Sequence, residues 1–164
     1  MEAGFSSLIG QLLNGLAGAS SLFLVAAGLS LIFGVTRIVN FAHGSFYMLG
    51  LYVAYTLVER LSGSIGFWPA LLLAPLATGV LGAVVEMTLL RRIYRAPELL
   101  QLLATFALVL VVKDAVLWAW GPEELFGPRA PGLEGSVNVL GRPFPAYDLL
   151  LIAIGPVVLA ALWW

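Results

Sequence analysis

Asn40, His43, Gly44 and Tyr47 place an amide, the chain's single imidazole, a backbone gap and a phenol in one short segment between two strongly apolar runs. Asn40 suits the N-cap of a helix starting just after it. Its side-chain oxygen can accept the backbone N–H of Ala42 or His43, which a first turn leaves without a partner. His43 then falls in that first turn, ready to hydrogen-bond. At helical spacing Asn40, Gly44, Tyr47, Met48, Leu51 and Tyr55 form one stripe. A helix N-terminus beside such a stripe can face a translocation pathway and a substrate carboxylate. The same residues also fit a plainer arrangement of a cap, an interfacial histidine and a packing surface.

Few other residues could do chemistry. Glu86 lies within about a turn and a half of Arg91, near enough for a structural pair. Lys113 and Asp114 are sequence neighbours, so on a helix they point apart and make no ion pair with each other. Lys113 stands roughly 10 Å from the end of its hydrophobic run, within reach of the interface for its long stem. The lone lysine, flanked by Val112 and Asp114, is not the lysine of a phosphate-binding Gly-Lys-Ser/Thr loop, so the chain is no ATPase. With one histidine, 0 cysteines and scattered carboxylates there is no metal site of recognisable spacing and no catalytic triad. The reading is therefore non-enzymatic, with no cofactor of its own.

These residues must be positioned by membrane helices. Hydrophobic residues make up 61% of the chain and charged ones 10%, against about 25% charged in a soluble domain. An all-α integral membrane protein of about five spans follows. The charge-free stretch from Ala3 to Thr36 would reach about 51 Å as one helix, too long for one upright span. It is expected to divide into an interfacial amphipathic segment and a first span at 16–35. Further spans are expected at 41–58, 67–88, 99–120 and 147–164, with a Gly/Pro-rich extracytoplasmic loop at 121–146. Small residues four apart, such as Gly15/Ala19 and Thr78/Gly82, would let these helices approach closely.

Basic residues set the orientation. Arg91, Arg92 and Arg95 cluster in one loop and Arg37 lies between the first two spans, which puts these loops in the cytoplasm, the N-terminus outside and the C-terminus inside. Trp68, Trp118 and Trp120 then fall at outer ends and Trp163-Trp164 at an inner end, as an aromatic belt would. A net charge of -1 without basic blocks argues against a nucleic-acid or anionic-lipid surface. The acidic start Met1-Glu2-Ala3-Gly4 is unlike a signal peptide.

The run Leu31-Ile32-Phe33-Gly34-Val35-Thr36-Arg37-Ile38-Val39-Asn40-Phe41-Ala42-His43-Gly44-Ser45-Phe46-Tyr47-Met48-Leu49-Gly50 resembles the signature of the inner-membrane permease of branched-chain amino acid ABC transporters. Glu86, Tyr94-Arg95-Ala96-Pro97, Leu102-Leu103-Ala104-Thr105 and Trp120-Gly121 follow in that family's order and spacing. Two departures are local. The family usually reads tyrosine-arginine-proline where Ala96 intervenes here, and has a glycine near Phe106 or Ala107. The third is length: such permeases are nearly twice as long, and their ATPase-coupling loop would begin just after Trp164.

The resemblance implies a multi-pass subunit of the bacterial inner membrane that works by alternating access. It would be surrounded by lipid and paired with a second permease subunit, two cytoplasmic ATPase subunits that hydrolyse the ATP, and an extracytoplasmic substrate-binding protein. Asn40, His43, Gly44 and Tyr47 would then be pathway or gate residues. Glu86, Arg91, Lys113 and Asp114 would be structural charges. Two alternatives stay open, a permease for urea or short amides, which share the signature, and a truncated, non-transporting membrane fragment. A proton-coupled carrier would need more ionisable groups at mid-span than Lys113 and Asp114 supply.

Overall fold

The computed structural model describes residues 2–36, 40–61, 66–127, 130–139 and 142–163. Arg37, the Ser62-Gly63-Ser64 turn, Arg129 and Trp164 lie outside the described residues. Helices α1 (Glu2–Thr36), α2 (Ala42–Arg60), α3 (Phe67–Val85), the three-residue α4 (Arg91–Ile93), α5 (Glu98–Trp120) and α6 (Ala146–Trp163) make up most of it. The protein is an all-helical membrane protein. Four of its helical stretches, Ser7–Val35, Phe67–Ile93, Glu98–Trp120 and Ala146–Trp163, are long and apolar enough to cross a bilayer. The fifth long helix, α2, has the length at 19 residues but carries His43, three tyrosines, Glu59 and Arg60. It packs against both α3 and α5.

Helix α1 runs without a break, so the expected division ahead of residue 16 is absent. The physical reason is that the stretch has no proline, and its isolated glycines each cost only about 1 kcal/mol in a helix. Breaking the backbone ladder in an apolar setting costs more. The third helix also continues past its expected end. Beyond Val85 the chain takes a π turn, Glu86–Leu90, in which the Arg91 N–H reaches back to the Glu86 carbonyl, and then resumes as α4. At the end of α5, Gly121 adopts φ 82° and donates its N–H to the Leu117 carbonyl, a left-handed stop that a side chain would strain.

The chain divides into two compact units, residues 1–28 with 129–164, and residues 29–128. In the first unit, where a plain loop is expected, strands β1 (Ser136–Val139) and β2 (Arg142–Pro145) pair antiparallel with Val137 opposite Phe144. The two prolines of β2 obscure it in the sequence, since proline is a poor strand residue away from edges. In the same unit α1 meets α6 closely, for a Cβ on Gly155 would stand 3.0 Å from Ser20 Oγ.

The second unit has its core where α2 meets α5. Ala42, Leu108, Val112 and Val116 are buried, ringed by Phe46, Leu49, Tyr52 and Trp120. The Trp120 indole N–H donates to Thr56 Oγ1 at 2.8 Å, Thr56 donates to the Tyr52 carbonyl at 2.9 Å, and the Tyr52 and Trp120 rings lie 5.4 Å apart. Trp120 is thus turned inward, whereas Trp118 is 91% exposed. The sequence assigns both to the belt; only Trp118 is free for it.

Candidate functional site

The turn that opens α2 is built by Asn40, which stands one residue ahead of the N-cap position expected for it; Phe41 holds that position and its side chain makes no capping bond. Asn40 Oδ1 accepts the Ala42 N–H at 3.0 Å, and its own carbonyl accepts the His43 N–H at 3.2 Å. The first helical turn therefore starts with its donors engaged, and Ala42 sits fully buried against the α5 face. Removing the side-chain acceptor by Asn40→Ala is expected to cost about 1 kcal/mol, whereas Asn40→Ser keeps an acceptor and most of that stability. Thermal or denaturant unfolding in detergent would read the difference; equal loss in both variants would show that the amide acts elsewhere.

One turn further on, α2 and α3 separate around a groove of about 550 Å³ that the last turns of α1 also border through Ile32. Asn40, His43, Phe46, Tyr47, Gly50 and Leu51 form the α2 wall; Leu71, Pro75, Thr78, Gly79 and Gly82 form the α3 wall. Its volume lies within the range of small-molecule sites. The groove is open, because Tyr47, Leu51 and Leu71 on its rim are exposed. Its lining is apolar apart from the polar groups of Asn40, His43, Tyr47 and Thr78. Such a groove favours an aliphatic body with a polar head at the Asn40 end. The Thr78 hydroxyl is already committed to the Ala74 carbonyl at 2.8 Å, and both its Oγ1 and its methyl stand against Gly50.

Three of the expected pathway residues, Asn40, His43 and Tyr47, thus meet on one wall. Gly44 is exposed but is not among the residues that line the groove. Met48, from the same sequence stripe, packs into the α2–α5 core. The α3 wall was not picked out as a site by sequence reasoning, which took Thr78 and Gly82 only as packing positions. The signal was Pro75, a proline inside an apolar helix, with no N–H to give the Leu71 carbonyl. Irregular backbone at that depth is tolerated where it borders a cavity.

The expected structural charges lie away from the groove. Arg91 Nε stands 3.5 Å from Glu86 Oε1 on an exposed surface, and the Tyr94 hydroxyl donates to the same oxygen at 3.0 Å. Gln101 closes this corner by donating to the Ala96 carbonyl at 2.8 Å. Burial, reinforced by the hydrogen bond to Glu86 and the nearby carboxylate, raises the Tyr94 pKa above the usual 10.0, with Arg91 opposing. A raised folded value means that this contact stabilises fully below pH 10.0 and is lost as pH rises through the folded pKa. Glu86→Gln should move the alkaline absorbance titration of Tyr94 to lower pH; a shift upward would contradict the assignment.

Lys113 and Asp114 are exposed on α5, and among the described residues neither side chain has a hydrogen-bonding or ionic partner. A charge left in lipid near a helix centre costs roughly 2.5–3.5 kcal/mol. Among the described residues no group of three or more His, Cys, Asp or Glu is placed to hold a metal ion.

An apolar groove between membrane helices, with a helix N-terminus and a few polar groups on one wall, is the arrangement of a membrane transport component. Residues 11–164 match the family model of the permease component of the branched-chain amino acid transport system, and the chain belongs to that family. It is 28% identical over 120 residues to the high-affinity branched-chain amino acid transport system permease protein BraD of Pseudomonas aeruginosa, covering 70% of this chain and 39% of the relative. It is 26% identical over 137 residues to the permease protein LivH of Salmonella typhimurium, covering 78% of this chain and 44% of the relative. LivH of Escherichia coli K12 matches to the same extent. The chain therefore spans less than half the length of these relatives, which are named as transport permeases. No solved structure matches the chain.

Proposed function

We propose that the chain forms part of the translocation pathway of an ATP-driven importer of branched-chain amino acids, with the α2–α3 groove as one wall of that pathway. Family membership across residues 11–164 carries the reading, and the groove supports it because its lining fits an aliphatic side chain. Asn40, His43 and Tyr47 would meet the polar end of the substrate, beside a helix N-terminus whose positive dipole end favours a carboxylate even with its first N–H groups engaged. Burial of the apolar side chain against Leu51, Leu71 and Pro75 would supply the selectivity.

In this reading α2 completes five spans, with the N-terminus outside, the Arg91–Arg95 corner in the cytoplasm and the protein in the bacterial inner membrane. ATP is hydrolysed by two separate cytoplasmic subunits. A second permease subunit and an extracytoplasmic binding protein complete the importer. The apolar lining favours amino acids over urea, which has no aliphatic body to bury.

Leucine uptake by cells carrying the intact permease tests the proposal. Asn40→Ser with His43→Ala should lower uptake by about tenfold, the effect of losing roughly 1.4 kcal/mol of differential interaction, with the protein still present in the membrane. Uptake unchanged in that variant, or efficient uptake of urea in place of leucine by the unaltered protein, would overturn it.

A further inference from the structure

The two walls of the groove differ in hydrogen-bonding sense. On α3, Pro75 has no N–H, so the Leu71 carbonyl loses its ordinary helical partner. Leu71, Ala74 and Pro75 all line the groove, which places that carbonyl on the groove side of the helix. Helical carbonyls point towards the C-terminal end, so the Leu71 oxygen is directed along the groove towards Thr78. The Thr78 hydroxyl gives its single proton to the Ala74 carbonyl at 2.8 Å. Towards anything else in the groove, Thr78 Oγ1 can therefore only accept. On the facing wall, the Asn40 amide and the Tyr47 hydroxyl both carry protons to donate.

A bare acceptor in an apolar groove at membrane depth is costly, and whatever meets it must bring donors. Among the described residues that line the groove there is no aspartate or glutamate, so a cation entering it has no carboxylate to pair with. An ammonium group brings three donors and no acceptor. An amino acid holds its ammonium and carboxylate on one carbon, and such a head matches an acceptor wall facing a donor wall.

We propose that the Leu71 carbonyl and Thr78 Oγ1 recognise the ammonium group of the substrate, opposite the α2 wall that takes its carboxylate. The inference rests on the transport reading and adds to it the requirement for an amine as well as an aliphatic body.

Displacement of labelled leucine from the purified intact permease complex, with no extracytoplasmic binding protein present, tests the inference. The competitors are isopentylamine, which is leucine without its carboxylate, and isocaproate, which is leucine without its amino group. Pro75→Ala restores an N–H to the Leu71 carbonyl and favours the helix, and Thr78→Val removes the oxygen while keeping the side-chain shape. Each should lower the affinity for isopentylamine relative to isocaproate by about tenfold, as expected for a lost hydrogen bond to a charged group. Thr78→Ser keeps the oxygen and should recover most of the ratio. Lost packing or a displaced helix would weaken both competitors together and leave the ratio unchanged. An unchanged ratio in either Pro75→Ala or Thr78→Val, or an equally low one in Thr78→Ser, overturns the inference. Failure of the unaltered complex to bind leucine would instead remove the pathway reading beneath it.

Discussion

Gly50→Leu in the intact permease is expected to reduce leucine uptake by about tenfold or more while the protein still reaches the membrane, and Gly50→Ala to leave uptake within about twofold. A Cβ at Gly50 would lie 3.5 Å from Thr78 Oγ1, ordinary van der Waals contact, so alanine fits between α2 and α3 without movement. Alanine also removes the backbone freedom of a mid-helix glycine, worth roughly 0.5–1 kcal/mol. The further atoms of leucine must either enter the groove or force α2 from α3 at a cost of about 1–3 kcal/mol. Both outcomes obstruct a pathway along this wall. Near-normal uptake by a fully expressed Gly50→Leu protein would remove the groove from the pathway.

A second large effect is expected at Trp120. Replacing it by alanine should destabilise the 29–128 unit by about 3–5 kcal/mol, enough to lose most of a marginal membrane domain. The loss has separable parts. The indole fills the space beside Tyr52, and its N–H satisfies Thr56 Oγ1. Trp120→Phe keeps much of the ring and gives up the hydrogen bond, so about 1 kcal/mol is expected. Trp118→Ala, which removes an exposed ring from the same helical turn, should cost far less. Unfolding in detergent or proteolysis in membranes would rank the three. A Trp118 effect as large as that of Trp120 would mean that the inward and outward assignments are reversed.

This contrast shows where the sequence was sufficient. Charge-free apolar runs declare membrane helices, because a backbone in hydrocarbon must satisfy its own hydrogen bonds and only a helix does so within one segment. Asn40 announced the start of α2 to within one residue, because its side-chain bond to the Ala42 N–H has a range of only two residues, although Phe41 and not Asn40 takes the N-cap position. The unbroken course of α1 and the π turn at Glu86 were less legible. Each depends on small differences between ways of continuing a helix, and no strong breaker marks the choice. The β1–β2 hairpin was hidden by the prolines of its second strand.

The site divides along the same line. By itself the sequence determined the membrane class, the family signature and the polar segment from Asn40 to Tyr47, all properties of residue type and local spacing. Only the tertiary structure decided which of those residues share a wall. Helical spacing placed Gly44 and Met48 on the stripe with Tyr47, but packing against α5 draws Met48 into the core and leaves Gly44 outside the groove. It also decided that Pro75, Thr78 and Gly82 form the opposing wall, and that Trp120 turns in while Trp118 turns out. A cavity is made by side chains far apart in sequence, and its shape depends on how two helices cross. One helix's periodicity carries no information about the face its neighbour will present.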